Sequence, residues 1–392
     1  MNMRISNRLP HRVLVLILVQ SILAFAVTLA SSFSLIYFLR NGYSEIVGIA
    51  YLLGVFSVAL IVASTIHQKL LSRPQVSMSV GLGALVFFYL TLWLAFSIYT
   101  IFIASMLYGI YISFFWIPFN SLMVCETSKF NRCTTIGTIG LSWPIINAFA
   151  PILGGLVIHH VGYFAIFIIA IFTISANIAL IISTKAFDIS FSVSKKIRSL
   201  YSQSFTFAII SQGVYDGILW TCTSLVAFFM LHDEVSVGAV LSFFAIVGAA
   251  MSLFLGLFSD KNGKREYYLQ VGVVIALPFL ISSAFSSNYM EFTLLISLMN
   301  IGLPLIGTFL TAMAVDKMET NKYDAIVLRE RYLNLGRLIG GSMALTCAIL
   351  GRLQFTFLLA SPFMLYILFS AFERVKFVFS LSAFTKLQIR TR

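Results

Sequence analysis

The stretch GLFSDKNGKR, residues 256–265, concentrates charge in a chain that is otherwise strongly apolar. One acidic and three basic residues lie in its last six positions, between apolar runs at 235–258 and 266–286. Each run has the length of about 20 residues that a helix needs to cross a bilayer. The stretch therefore predicts a short polar turn that joins two membrane-spanning helices.

The composition of the whole chain supports a membrane protein. Hydrophobic residues make up 59% of the 392 residues and charged residues only 10%, and the mean hydropathy is +0.97. A soluble domain carries about 25% charged residues. The net charge of +12 does not indicate a nucleic-acid partner, because the basic residues cluster in short connections rather than in one patch.

Twelve apolar segments are predicted to be membrane-spanning helices, because each segment must satisfy its own backbone hydrogen bonds in lipid. They lie at 12–39, 45–66, 76–94, 97–123, 134–159, 162–184, 204–231, 235–258, 266–286, 289–315, 327–350 and 353–373. The first run is too long for the apolar core of a signal peptide, so it is predicted to stay as a span.

Lysine and arginine are concentrated in alternate connections, which predicts that both chain termini are cytoplasmic and that the membrane is the inner, cytoplasmic one. The longest polar connection lies in mid-chain. It predicts an N-terminal six-helix bundle at 1–184, a cytoplasmic linker at 185–203, a C-terminal six-helix bundle at 204–373, and a basic cytoplasmic tail at 374–392.

The charged turn resembles the loop signature G-x-x-x-D-[RK]-x-G-[RK]-[RK] of the major facilitator superfamily (MFS), in a prokaryotic type of transporter. The matching residues are Gly256, Asp260, Lys261, Gly263, Lys264 and Arg265. The resemblance implies the MFS fold, an all-α polytopic membrane protein with 12 transmembrane helices in two six-helix bundles. It also implies that this loop latches the halves together on the cytoplasmic side.

A second segment resembles a glycine-proline motif that the family's exporters carry in span five. Here it reads APILGG at 150–155, so that Pro151, Gly154 and Gly155 are predicted helix-packing residues. Ala150 replaces the first glycine of the motif, which weakens the implication of export. The first-half counterpart of the charged turn, TIHQKLLSRP at 65–74, lacks the acidic residue of the signature.

Two ionisable residues are predicted to lie deep in the membrane, where charge is costly and often functional. Asp216 is about 18 Å and Arg337 about 15 Å from the cytoplasmic ends of spans seven and eleven, at about 1.5 Å per residue. Similar depth predicts that the two side chains face a central cavity and pair there. A purely structural ion pair between the two helices is the alternative.

Further polar and aromatic residues are candidates for the wall of a solute or ion pathway. With Asp216 and Arg337 they are Gln212, Asn334, Asn300, Asn147, Gln20, Tyr215 and Trp220. Glu330, Glu126 and Arg132 lie near the cytoplasmic ends of their spans and are predicted to form gating or helix-end ion pairs.

The sequence therefore predicts a secondary active transporter, and not an enzyme, that moves a small organic solute by alternating access. Proton coupling is left open, efflux is slightly favoured over uptake, and a monomer in the bilayer is expected. Two alternatives are a non-transporting receptor or scaffold on the same fold and a membrane-embedded enzyme. No catalytic residue, cofactor or metal is predicted, because the four cysteines and the His159–His160 pair lack ligand spacing.

Overall fold

A computed structural model describes residues 11–65, 72–94, 97–127, 132–191, 201–258 and 265–370. These residues form helices and turns, and no β-strand occurs among them. The long helices are α1 (His11–Arg40), α2 (Glu45–Thr65), α3 (Pro74–Leu94), α4 (Ile98–Cys125), α5 (Arg132–Val161), α6 (Tyr163–Ser183), α7 (Gln203–Leu231), α8 (Glu234–Phe258), α9 (Arg265–Ser283), α10 (Tyr289–Lys317), α11 (Lys322–Ile349) and α12 (Thr356–Ser370).

The predicted fold class is confirmed: twelve helices form two six-helix bundles, α1–α6 and α7–α12. We call these bundles the first half and the second half. The predicted boundaries of the halves stay a prediction, since residues 192–200 of the connection and the tail at 374–392 lie outside the described residues.

Eleven of these helices are long and apolar enough to cross a membrane, with α12 taken together with the 3₁₀ turn Leu353–Phe355 that precedes it, and α11 is the exception. It carries six charged residues, several of which are buried, including Asp324, Arg329, Glu330 and Arg337. Its charges therefore face protein rather than lipid, which is how a charged helix can cross a bilayer. The chain is thus a multi-pass membrane protein.

Two helices are interrupted, and both contribute to the space between the halves. A short 3₁₀ turn at Ser31–Phe33 divides α1. Helix α5 consists of three pieces, Arg132–Gly140, Ser142–Asn147 and Ala150–Val161. Pro151 stands at the start of the third piece, where its missing N–H leaves no helical hydrogen bond unmade.

The helices alternate in direction, so the molecule has two opposite faces. The terminal face holds the first residue of α1 and the last of α12, and the far face holds the end of α1. At the terminal face Arg12 donates to Ala186 O at 2.9 Å, which ties α1 to the turn after α6. The halves contact each other along their length through α2 with α11 and α5 with α8.

Candidate functional site

A cavity of about 650 Å³ lies between the two halves. Residues from α1, α2, α4 and α5 line one wall, and residues from α7, α8, α10 and α11 line the other. This volume falls within the range of about 300–1,000 Å³ that is common for small-molecule sites. The cavity is therefore large enough to enclose a small organic solute.

The two walls of the cavity differ in chemistry. Among the described residues that line it, the first half contributes hydroxyl, amide, aromatic and aliphatic side chains but no charged one. The second half contributes all four charged residues, Asp216, Arg329, Glu330 and Arg337. The cavity thus has a neutral wall opposite a charged wall. The neutral wall includes six aromatic side chains, and we call it the aromatic wall.

Close backbone packing of α7 against α11 positions two of these charges. Glycines repeat every four residues on both helices, at Gly213 and Gly217 and at Gly336 and Gly340. A Cβ added at Gly217 would lie 2.5 Å from the Arg337 carbonyl oxygen. Because small residues let helix backbones touch, the side chains of neighbouring positions on the two helices meet.

Asp216 and Arg337 meet in this way on the cavity wall. Arg337 Nη2 lies 3.4 Å from Asp216 Oδ2, and Nη1 donates to Asn334 Oδ1 at 3.1 Å. The guanidinium carbon lies 4.7 Å from the ring centroid of Trp220, within the range of a cation–π contact. Arg337 Nε is buried and has no hydrogen-bond partner among the described residues.

A second charged pair lies nearer the terminal face. Arg329 Nη1 donates to Glu330 Oε1 at 2.8 Å, and Arg329 Nη2 lies 3.4 Å from Gln212 Oε1. Asn120 of α4 donates to the same Glu330 oxygen at 3.3 Å. Glu330 therefore takes part in a contact between the two halves as well as in a helix-internal pair.

The predicted pathway residues divide into two groups. Those that line the cavity are Gln20, Asn147, Asp216, Trp220 and Arg337. Those that lie outside its lining are Gln212, Tyr215, Asn300 and Asn334. Helical spacing groups residues on one face, but it cannot tell which face a neighbouring helix covers.

The four residues outside the lining have different surroundings. Gln212 and Asn334 contact Arg329 and Arg337 from behind the wall. Tyr215 is only 2% exposed, and Asn300 donates to the carbonyl oxygen of Ile296 in its own helix. Gln212 and Asn334 can therefore orient the arginines without touching a bound solute.

A network of ion pairs joins the halves at the terminal face. Arg132 of α5, whose side chain is fully buried, pairs with Asp316 and, at 2.6 Å, with Glu319. Arg265 also pairs with Asp316. Lys322 donates to the Thr127 carbonyl oxygen at 2.7 Å across the same boundary. We call Arg132, Asp316, Glu319 and Lys322 the terminal latch.

The predicted gating residues occupy different parts of this face. Glu126 pairs with Arg12 at 2.5 Å, a contact within the first half. Gly256 lies in the last turns of α8. The remaining motif residues Asp260, Lys261, Gly263 and Lys264 lie outside the described residues, so their predicted role stays a prediction.

The predicted packing segment of α5 lies against both halves. A Cβ at Gly154 would be 2.4 Å from the Leu29 carbonyl oxygen of α1, and one at Gly155 would be 2.5 Å from the Glu234 carbonyl oxygen of α8. The Pro151 carbonyl oxygen is correspondingly close to Gly238 of α8. This seam is tightly packed backbone with no space for a larger residue.

The far face carries another contact between the halves. Arg40 of α1 binds Glu234 of α8 through two nitrogens, at 2.7 and 3.1 Å. Tyr163 donates to the same carboxylate at 3.0 Å. Sequence reasoning missed this pair and the acidic partners of Arg132, because the partners are far apart in the chain and nothing in the sequence indicates their contact.

The sequence model of the Major Facilitator Superfamily matches residues 16–340. No curated protein sequence matches the chain. The fold is similar to that of the human organic anion transporter MFSD10 (TETRAN), with a TM-score of 0.69 and 12% identity over 93% of this chain and 100% of that one.

Two structures of the fucose:proton symporter FucP are similarly close. A variant of the E. coli protein matches with a TM-score of 0.68 and 14% identity over 92% of this chain and 97% of that one. FucP in the outward conformation matches with the same score and identity over 92% and 98%. At such identities the structures show the shared fold alone, whereas the family match covers most of the sequence. The chain therefore belongs to the Major Facilitator Superfamily.

Proposed function

We propose that this protein is a secondary active transporter that moves a small organic solute across the cytoplasmic membrane by alternating access. The observation that carries the proposal is the cavity between the halves, with Asp216 and Arg337 on its wall near the middle of α7 and α11. An ion pair that only joined two helices would not need to lie on the wall of a cavity. Charge at that depth is costly and marks a solute or ion pathway.

Contacts that join the halves at both faces supply the elements that such a cycle needs. The terminal latch bridges the halves at one face, and the ion pair between Arg40 and Glu234 bridges them at the other. Ion pairs can break and re-form as the halves rock, because their partners belong to different bundles. We propose that the terminal face is cytoplasmic, as the distribution of lysine and arginine predicts.

Proton coupling is part of the proposal, with Asp216 as the residue that binds the proton. Its carboxylate lies on the cavity wall, and its side chain is 24% exposed, so a proton can reach it through the cavity. One of the structural neighbours, E. coli FucP, is described as a fucose:proton symporter. The APILGG segment slightly favours export as the direction, and we propose a monomer as the transporting unit.

Transport by purified protein tests the proposal directly. Liposomes that contain the protein are exposed to a mixture of metabolites, and the internal contents are compared by mass spectrometry with those of protein-free liposomes. We expect at least one solute to accumulate inside in a protein-dependent way. R337Q should abolish this accumulation, and the same substitution at Arg352, which is exposed near the far face, should not.

Two outcomes would count against the proposal. Full transport by both R337Q and D216N would remove the pair from the mechanism. No protein-dependent accumulation under any imposed pH gradient would instead favour a receptor or scaffold on this fold, particularly if the purified protein still bound a partner.

A further inference from the structure

We propose that the solute is a small organic anion whose carboxylate binds the side-on edge of Arg337, in place of Asp216, and whose planar apolar body packs on the aromatic wall. This inference rests on the proposed function and names the class of its substrate.

Two buried atoms of the charged residues that line the cavity have no hydrogen-bond partner among the described residues, and both are donors. Arg329 Nε and Arg337 Nε are both buried without a partner among the described residues, whereas no carboxylate oxygen that lines the cavity is in this condition. A buried donor without an acceptor costs free energy that a bound acceptor recovers. The charged wall is therefore better suited to an acceptor with negative charge than to an ammonium group.

The geometry of Arg337 selects a carboxylate among such acceptors. Nε and Nη2 lie on the same edge of the guanidinium plane, so one carboxylate can accept from both in a bidentate arrangement. Nε has no partner, and Nη2 holds Asp216 only at 3.4 Å. On this edge Nε is thus covered by protein atoms and unpartnered among the described residues, and Nη2 is paired only loosely, so a carboxylate that displaces Asp216 would gain both donors.

The ion pair between Arg40 and Glu234 is an example of an arginine whose Nε and Nη2 both have a carboxylate acceptor. Arg40 Nε and Nη2 bind both oxygens of Glu234, at 2.7 and 3.1 Å. Arg337 does not reach this arrangement with Asp216, although glycine packing brings their helices into contact. Because Asp216 uses one oxygen at a long distance, a solute carboxylate can displace it without breaking a strong bond.

The aromatic wall of the first half suits the rest of the solute. Tyr108 and Tyr111 of α4 line the cavity with ring centroids 5.3 Å apart. Trp116 of α4 and Trp143 of α5 line it with centroids 5.5 Å apart. Rings of this kind pack favourably against a flat apolar surface. With no charge on this wall, the apolar end of an anion faces the first half and its carboxylate faces the second.

Charge balance gives the Asp216 carboxyl group a role beside the proposed site. Two arginines and two carboxylates line the cavity, so an anion would bring an excess negative charge. Protonation of Asp216 removes that excess and frees Arg337 for the solute. Anion binding and proton binding therefore support each other, which is the linkage that a proton symporter requires.

A ligand series that differs only in charge tests this inference on the purified full-length protein. The probes are 3-phenylpropionate, its amide, and 3-phenylpropylamine, which share a ring and a chain. Binding is measured by the shift of the thermal unfolding midpoint at about 10 mM, which detects millimolar affinity. We expect the carboxylate to stabilise the protein and the amide and the amine to have no effect.

Two substitutions with opposite expected signs separate a direct contact from general damage. D216N removes the competing charge and mimics the protonated acid, so the carboxylate should bind about tenfold more tightly. R337Q should weaken its binding about tenfold or more, as expected for loss of a bidentate, charge-assisted contact. R352Q, which changes an exposed arginine outside the cavity, should bind as the unmodified protein does.

Several outcomes would overturn the inference: stronger binding of the amine than of the carboxylate, no binding of the carboxylate, or equal binding of the carboxylate to R337Q. None of them touches the proposed transport function, which the metabolite-accumulation assay decides separately. If the carboxylate binds as expected but no solute crosses the membrane, the anion site stands and the transporter proposal fails.

Discussion

Replacing Arg132 with glutamine should open the terminal face of the cavity. Arg132 is fully buried and reaches from α5 to Asp316 and Glu319 in the second half. Without it, Asp316 keeps Arg265 and Glu319 keeps Lys322 as partners, both within the second half. The substitution therefore removes the ion pairs of the terminal latch that connect the two halves, while the acids stay paired.

The free energy lost with the Arg132 ion pairs depends on how deeply their partners are buried. Removing one member of a fully buried pair costs about 3–5 kcal/mol. Here the side chains of Asp316 and Glu319 are 20% and 45% exposed, and both keep another cation as a partner. We therefore expect R132Q to destabilise the closed state relative to the open state by about 2–3 kcal/mol. If these ion pairs form only when the terminal face is closed, the open population should rise about 30- to 150-fold.

Cysteine labelling measures this population. Met123 lines the cavity and lies near the terminal end of α4, so M123C reports on access from that face. The exposed native Cys125 is first replaced by serine, and the other three cysteines are buried. The labelling rate with a membrane-impermeant thiol reagent should rise in R132Q by up to the factor given above.

A matched control lies on the same face. R12Q breaks a 2.5 Å ion pair with Glu126 that stays within the first half, so it should leave the labelling rate of M123C unchanged. An equal increase in R12Q would mean that any lost ion pair loosens this face. An unchanged rate in R132Q would show that the latch does not hold the halves together. Either result refutes the reasoning.

Two further predictions concern the helix seam and the pH dependence of the latch. Gly336→Ala should lower the thermal unfolding midpoint, because its Cβ would lie 2.1 Å from the Ile210 carbonyl oxygen and overpacking costs about 1–3 kcal/mol. Gly83→Ala is the control, since no atom lies within 4 Å of its new Cβ. It should not lower the midpoint, and a lower midpoint there would contradict the packing argument. Burial raises the pKa of Glu319, but the hydrogen bond and charge of Arg132 outweigh it, so the net shift is downward. A carboxylate whose pKa is lowered in the latch stabilises the closed face fully above its ordinary pKa, and this stabilisation is lost as the pH falls through the lowered pKa. Labelling of M123C should therefore rise only below about pH 4. E319Q should remove that rise, and a rise that persists in E319Q would assign it to another group.

Much of the architecture could be predicted from the sequence. Every long apolar run became a helix within a few residues of its predicted bounds, because a bilayer leaves an isolated segment no other way to satisfy its backbone. Helical rise also gave the distance of Asp216 from the start of α7. For Arg337 the distance was too short, because α11 begins at Lys322 rather than at 327, which puts Arg337 about 22 Å and not about 15 Å from the helix start. The structure places these two side chains in contact on the cavity wall.

The composition of the cavity wall could be predicted only in part. Tyr215 and Asp216 are adjacent in the chain, yet Asp216 borders the cavity and Tyr215 lies outside its lining. Rotation by about 100° per residue separates them, and the sequence contains no mark of which direction faces the cavity. That direction depends on which neighbouring helices cover α7, and the glycine seam with α11 is one of the contacts that decide it.

The sequence by itself determined the class of fold and the approximate bounds of the long helices, because these depend on local apolar length. Only the tertiary structure decided that Arg132 meets Asp316 across the two halves and that Arg337 Nε is buried without a hydrogen-bond partner among the described residues. Such contacts join residues far apart in the chain, and they depend on how whole helices are rotated and packed against one another.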